Sequence, residues 1–352
     1  MKDKMDAEEK HWSDIPEEVL QLIIPHISAV DHAHLFAVCK GWLSMTPAIW
    51  SPSTPWLIFN HNLEGVCKFF DPLNRKNYVS EIPGLSGTVF HHSKGGWLLV
   101  SRNDDSVFFF NPFTQEQIDL PNSIGVFWGI SFSSPPTSPD CVVFAVHNIN
   151  PYHISIKTCC PGDISWKNYS DYETTVPFVV VHNNPVFYKG LFHCLGQGGR
   201  LGVFNHRENT WNVLDKPEAV QNETCDCFLT ESGGELVMVS VDHLGDPINA
   251  FLLDQSKMVW VEVKSLGEQM LFVGHETSLS MKAIRGMENK IYFSRIRGSC
   301  SNEPVFYSME TKTGRVEFWK SKVYSNCTWI EPNGYVFESN QNNNELRLIG
   351  SR

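Results

Sequence analysis

Basic runs, long apolar stretches and paired cysteines are all missing from this chain of 352 residues, and each absence removes a class of function. Lys and Arg number 28 against 39 Asp and Glu, a formal charge of -11, and no basic cluster interrupts the acidic excess. Phosphate binding needs clustered cations, so a nucleic-acid surface is not expected. No apolar stretch approaches the roughly 20 residues of a bilayer-spanning helix, so no membrane segment is expected either. The ten cysteines are scattered or adjacent, as in Cys159-Cys160. They read as reduced thiols of an intracellular protein, cytoplasmic, nuclear or both. The opening MKDKMDAEEK is charged and mixed in sign, and residues 1–11 are expected to be a disordered lead rather than a targeting peptide.

Catalytic and metal-binding patterns are missing as well. Gly196-Gln-Gly198-Gly199-Arg-Leu-Gly202 resembles a nucleotide loop, but it joins two strand-like runs and no Gly-Lys-Ser/Thr follows, so it reads as a hairpin turn. Cys225-Asp-Cys227 and Cys159-Cys160 lack the four-ligand spacing of a zinc site. His91-His92, like His26, His32 and His34, read as surface or turn histidines. Gly129-Ile-Ser131 lacks the second glycine of a nucleophile elbow, because position 133 is Ser. No catalytic residue, metal or cofactor is assigned.

What is present begins at Trp12. From Pro16 the pattern is helical, with Val19, Leu20, Ile23, Ile24 and Ile27 forming an apolar stripe. Asp14 and the Pro-Glu-Glu start suit a helix N-terminus. A second stripe follows Asp31, at Leu35, Val38, Cys39, Trp42 and Leu43. A segment of roughly 40 residues is near the lower limit for burying its own core, and this one carries surplus apolar surface. Another protein is expected to cover it.

Trp12-Ser13-Asp14-Ile15-Pro16-Glu17-Glu18-Val19-Leu20 followed by Ala37-Val38-Cys39-Lys40-Gly41-Trp42 resembles an F-box, with both halves in order and correctly spaced over residues 12–50. Pro25 departs from the pattern and is expected to kink or end the first of three short helices. The resemblance implies docking on the Skp-type adaptor of a cullin-RING ubiquitin ligase. By position Ile15, Pro16, Val19, Leu20, Ile23, Val38, Cys39 and Trp42 correspond to the family's signature. Some of them form the module's own core, and the sequence does not sort core from interface.

From Trp56 onward, short runs rich in Val, Ile, Phe, Tyr and Trp are broken by Gly, Pro, Asn and Asp. The order WLLV, VFFFNP, QIDLP returns as VVFAV, YHISIK, SWKNYS, then as LFHCLG, LGVFN, TWNVL, as ELVMVS, NAFLLD, VWVEV, and as KIYFS, VFYSME, RVEFW. A further run precedes each set: TVFHH, GVFWGISF, NPVFY, CDCFL and SLSMKAI. A spacing of about 45 to 55 residues is that of four-stranded propeller blades. A sixth set, WLIF, CKFFDP and NYVSEI, lacks its first strand, and CTWIEP at Cys327–Pro332 is the natural donor. The Gly-Gly and aromatic placement is similar to degenerate kelch repeats, although Gly-Gly is absent from the units at Cys141 and Lys290. The expected fold is therefore mainly β: a six-bladed kelch-like β-propeller over residues 51–352, ring closed near 327–332, preceded by a small all-α F-box. A β-sandwich or irregular barrel is the alternative.

An F-box joined to such a propeller resembles the plant F-box/kelch-repeat families, in particular the group whose propeller is a domain of unknown function. The resemblance implies a non-catalytic substrate-recognition subunit, bound to the Skp-type adaptor and through it to cullin and RING subunits, with an unknown target protein on the propeller. The alternatives are an enzyme or small-ligand receptor built on the propeller, or a scaffold outside a ligase. Trp128, Tyr152 and Trp166 are candidate target-binding aromatics, with blade core the favoured reading for each.

Overall fold

The computed structural model describes residues 15, 16, 18, 19, 54–60, 65–73, 75–122, 125–181, 184–214, 226–241, 247–284, 286–294, 305–314, 326–332, 336–339 and 346–349. The apolar runs become strands because β-branched and aromatic side chains suit a pleated surface buried on both faces, and glycines at positive φ turn the chain between them. Gly95 and Gly96, at φ 58° and 79°, make the turn between the first two strands of one blade. Gly233 and Gly234, at 60° and 85°, do the same in another.

The first blade holds β1 (Trp56–Asn60), β2 (Val66–Asp71) and β3 (Lys76–Glu81). Blade 2 is β4 (Thr88–Lys94), β5 (Trp97–Arg102), β6 (Val107–Phe110) and β7 (Gln117–Asp119), ordered from the hub outward. Blade 3 is β8 (Gly129–Phe132), β9 (Val143–Asn150), β10 (His153–Cys159) and β11 (Lys167–Glu173). Blade 4 is β12 (Val186–Tyr188), β13 (Leu191–Leu195), β14 (Leu201–Asn205) and β15 (Thr210–Val213). Blade 5 is β16 (Asp226–Ser232), β17 (Glu235–Val241), β18 (Ile248–Asp254) and β19 (Val259–Val263).

Blade 6 contains β20 (Gln269–Val273), β21 (Leu279–Lys282), β22 (Lys290–Phe293), β23 (Val305–Ser308) and β24 (Thr313–Gly314), in the order β21-β20-β22-β23-β24. Here the structure adds a strand that the repeat pattern did not predict. β20 pairs in parallel with β22, and β21 folds back antiparallel on its inner side. The strand β25 (Asn326–Ile330) then pairs antiparallel with β1, Leu57 opposite Trp329, and completes blade 1 as its innermost strand. A final hairpin, β26 (Val336–Ser339) with β27 (Leu346–Ile349), lies beside β3. The expected six-bladed propeller is thus the observed one, and nearly all of the F-box segment lies outside the described residues.

Six apolar clusters fill the six gaps between blades. Trp56 and Phe69 meet Phe108 and Phe113 between blades 1 and 2. Phe109 meets Phe132 between blades 2 and 3, and Phe144 stacks on Phe192 with centroids 4.6 Å apart between blades 3 and 4. Leu195 and Met238, Val239 and Leu271, and Phe272 and Trp329 fill the remaining three. Packing between neighbouring sheets around the ring buries their facing sides, while the outermost strands β7 and β19 stay partly exposed.

Strand alternation gives the disc two distinguishable faces. β1 is the second strand from the hub and runs outward from the same end at which Lys94–Trp97 turns. That end, where the chain arrives at Thr54, also carries the turns between third and fourth strands; we call it the arrival face. The opposite, connector face carries the turns between second and third strands and the links from blade to blade.

Candidate functional site in the hub and on the connector face

The inner strands present backbone edges to the hub, and such groups cost free energy unless paired. Side-chain amides supply several of the partners. Asn326 accepts the Phe90 N–H at 2.7 Å and donates to the Thr88 carbonyl at 2.6 Å, joining blade 1 to blade 2. Asn184, just before β12, accepts the Ile130 N–H at 3.0 Å and donates to the His91 and Glu276 carbonyls, joining blade 4 to blades 3, 2 and 6.

The loop between β20 and β21, Gly274–Ser278, fills part of the hub. The Thr277 hydroxyl oxygen accepts the Ser93 N–H at 2.8 Å and the Thr328 hydroxyl at 2.9 Å. The Trp329 indole N–H donates to the Val273 carbonyl at 3.1 Å, and the Ser93 hydroxyl donates to the Trp329 carbonyl. The extra strand of blade 6 therefore delivers a loop whose polar atoms bind blades 1, 2 and 4.

His91 and His92 are corrected from the surface or turn positions expected of them to the inner strand β4. A register shift between Phe90 and His92 interrupts the alternation, and both rings pack toward blade 3: His91 lies edge-on to Phe127 and His92 to Phe132. His92 Nδ1 is 3.0 Å from the Glu276 carbonyl, which only accepts, so Nδ1 carries the proton of a neutral ring. Burial pushes both imidazoles down to about 4.

Lys94, at the end of β4, reaches the axis from blade 2. Its Nζ is 5.7 Å from the ring centroid of Phe187 on blade 4, and its charge feels Glu331 beyond β25 and Glu231 of blade 5. Burial lowers its pKa and the two carboxylates oppose the shift. Each carboxylate is also held by a turn: Glu331 accepts the Gly95 N–H at 2.5 Å and Glu231 the Gly234 N–H at 2.6 Å. Burial raises Cys67 and Cys141 to about 12, and Cys159 and Cys194 further in the same direction.

The glycine-rich segment from Gly196 is a hairpin turn, with a short 3₁₀ turn at Gln197–Gly199 between β13 and β14. A Cβ at Gly202 would stand 2.2 Å from the Trp211 ring, so that glycine is required by packing in a strand and not by a phosphate.

The three candidate aromatics separate. Trp166 is only 8 % exposed and its indole donates to the Pro121 carbonyl at 2.7 Å, which makes it blade core. Trp128 and Tyr152 are 38 % and 48 % exposed, which overturns the core reading for both. Each sits where a strand ends on the connector face: Trp128 in the link before β8, Tyr152 in the turn between β9 and β10. Sequence reasoning missed the hub loop and Asn184, whose partners are 54 to 93 residues away and give no local signal.

Of the residues matched to the F-box signature, Pro16 and Val19 are exposed and Ile15 is half-buried, with the Val19 N–H donating to the Pro16 carbonyl at 3.1 Å. Leu20, Ile23, Val38, Cys39 and Trp42 lie outside the described residues.

Comparison with known proteins agrees with this architecture. The KIB1-4 beta-propeller family matches residues 69–325. The chain is 32% identical to the F-box/kelch-repeat protein At1g57790 of Arabidopsis thaliana, over 93% of this chain and 96% of that protein. It is 31% identical to the F-box/kelch-repeat protein At3g18720 of the same plant, covering 83% of this chain and 82% of that one. Identity to the F-box protein At3g56470 is 28%, with 90% and 88% covered.

Proposed function

The chain belongs to the KIB1-4 β-propeller family, and from that premise we propose that it is the substrate-recognition subunit of a Skp/cullin/F-box ubiquitin ligase. The observation that carries this reading is the pairing of an F-box signature at Trp12–Trp50 with a propeller whose hub is bound to itself. The F-box fixes the chain to a Skp-type adaptor, and through it to cullin and RING subunits. The propeller holds a target protein. Catalysis by such a subunit is proximity: it raises the effective concentration of a target lysine near a ubiquitin-charged enzyme and contributes no reacting group.

Co-purification with a recombinant Skp-type adaptor tests it. The wild-type chain is expected to bind, and Leu20→Asp with Trp42→Asp to abolish binding while leaving the propeller's melting unchanged. A wild-type chain that ignores the adaptor, or a double variant that still binds it, overturns the reading.

A further inference from the structure

We propose that the connector face of blades 2 and 3 is the docking surface for the target, and that the target meets it with a basic segment carrying large apolar side chains. This rests on the receptor reading above and adds the face, the residues and the chemistry of the partner.

Four exposed apolar side chains gather at one end of blade 3. Val126 and Trp128 lie in the link before β8, Ile149 ends β9, and Tyr152 is in the next turn. The Trp128 N–H donates to the Val146 carbonyl at 2.8 Å, which fastens the link to β9 three residues before Ile149. Val126 is 70 % exposed and Ile149 51 %, and Val89 at the start of β4 extends the surface to blade 2. Leu73, Ile164 and Val261, other exposed large apolar residues among those described, lie apart from this group and from one another. Trp and Tyr are the side chains that most often anchor protein interfaces, and an apolar patch at loop ends marks a site of association.

The patch lies at the end of the strands opposite to Thr54, where the described chain enters blade 1. Charge decides the partner's sign. Asp104 and Asp105 stand exposed in the turn between β5 and β6, and Glu173 ends β11. Arg102, in the same turn as the aspartates, is folded back: its guanidinium lies 4.3 Å over the Phe108 ring and donates to the Gly84 carbonyl at 2.9 Å. The Lys157 Nζ lies beside the link, 3.1 Å from where a Cβ on Gly125 would stand, so the exposed carboxylates here outnumber two cations, Arg102 and Lys157. With a formal charge of -11 on the whole chain, a basic segment is steered to this face and an acidic one repelled.

The test is a phage-displayed random-peptide library panned on the purified full-length chain. Selected peptides are expected to combine Lys or Arg with Trp, Phe, Leu or Ile, and to bind more weakly as salt rises. Tyr152→Asp, in a turn, and Trp128→Asp are each expected to weaken binding by about tenfold or more. Asp104→Lys with Asp105→Lys is expected to weaken it as well. Ile164→Asp, at a residue 98 % exposed on the arrival face, is expected to leave binding unchanged. Acidic peptides, no selected peptide, or sensitivity to Ile164→Asp without sensitivity to Tyr152→Asp overturns the proposal. So does a dimer that Tyr152→Asp dissociates, since a second copy would then cover the patch. Melting curves identify any variant that fails to fold. Adaptor binding is read separately, so loss of the ligase reading and loss of the docking face are distinguishable.

Discussion

Asn326 holds Phe90 across the seam where the two ends of the propeller meet. Its Oδ1 accepts the Phe90 N–H at 2.7 Å while its Nδ2 donates to the Thr88 carbonyl, and 236 residues separate the two partners. Asn326→Ala leaves two part-buried backbone groups unpaired, a loss of about 1–3 kcal/mol. Thermal melts are expected to show a lowered midpoint. Removing residues from 326 onward exposes the inner edge of β1, and light scattering is expected to show aggregation of the truncated chain. A truncated chain that stays monomeric and melts like the full-length one contradicts the closure.

Propeller stability is expected to fall between pH 6.5 and 4. His92 and His193 are buried, and burial depresses both from 6.5 to about 4. The unfolded chain then binds protons that the folded chain refuses, so their contribution is complete above 6.5 and is lost as pH falls toward 4. At pH 5 the loss is about 2 kcal/mol per imidazole. Urea denaturation at pH 7.5 and pH 5 measures it, and equal midpoints at the two pH values refute it.

The blades were legible because each is a local event: a run of apolar β-formers, a glycine turn, another run. Even ring closure could be read, since WLIF, CKFFDP and NYVSEI lacked an inner strand and CTWIEP remained. β20 was hidden because SLSMKAI already filled the fourth position of its unit, and nothing in QMLFV distinguishes a fifth strand from a connector. The hub was hidden for a different reason. Thr277 and Ser93 are 184 residues apart, and no periodicity links them. Exposure of Trp128 and burial of Trp166 likewise depend on which end of a blade each occupies.

Gly202→Val is expected to destabilise blade 4. A Cβ there meets the Trp211 ring at 2.2 Å and the Phe178 ring at 2.9 Å, and both rings belong to one packed cluster. Overpacking of this kind costs about 1–3 kcal/mol. The expected readout is a lowered melting midpoint together with a shifted tryptophan emission, and unchanged melting refutes it.

Phe144→Ala tests the packing between blades 3 and 4. Phe144 is fully buried, stacked on Phe192 and 5.2 Å from the centroid of Phe204. Its removal leaves a cavity between two sheets that the ring holds at fixed distance, at a cost of about 3–5 kcal/mol. Phe144→Leu is expected to recover much of that loss in the same denaturation experiment.

Thr277 is where the hub loop is most dependent on one atom. Its hydroxyl oxygen accepts both the Ser93 N–H and the Thr328 hydroxyl, and all three residues are buried. Thr277→Val keeps the shape and removes the acceptor, so the buried Ser93 N–H loses its partner and the Thr328 hydroxyl keeps only the longer contact to the Trp329 carbonyl at 3.5 Å, at a cost of about 1–3 kcal/mol. Thr277→Ser keeps the acceptor and loses a methyl group, a loss of about 1 kcal/mol. Serine is therefore expected to melt closer to wild type than valine, the reverse of the order that apolar burial alone would give. If valine proves the more stable of the two, the loop is held by packing and the hydrogen bonds to blades 1 and 2 are incidental.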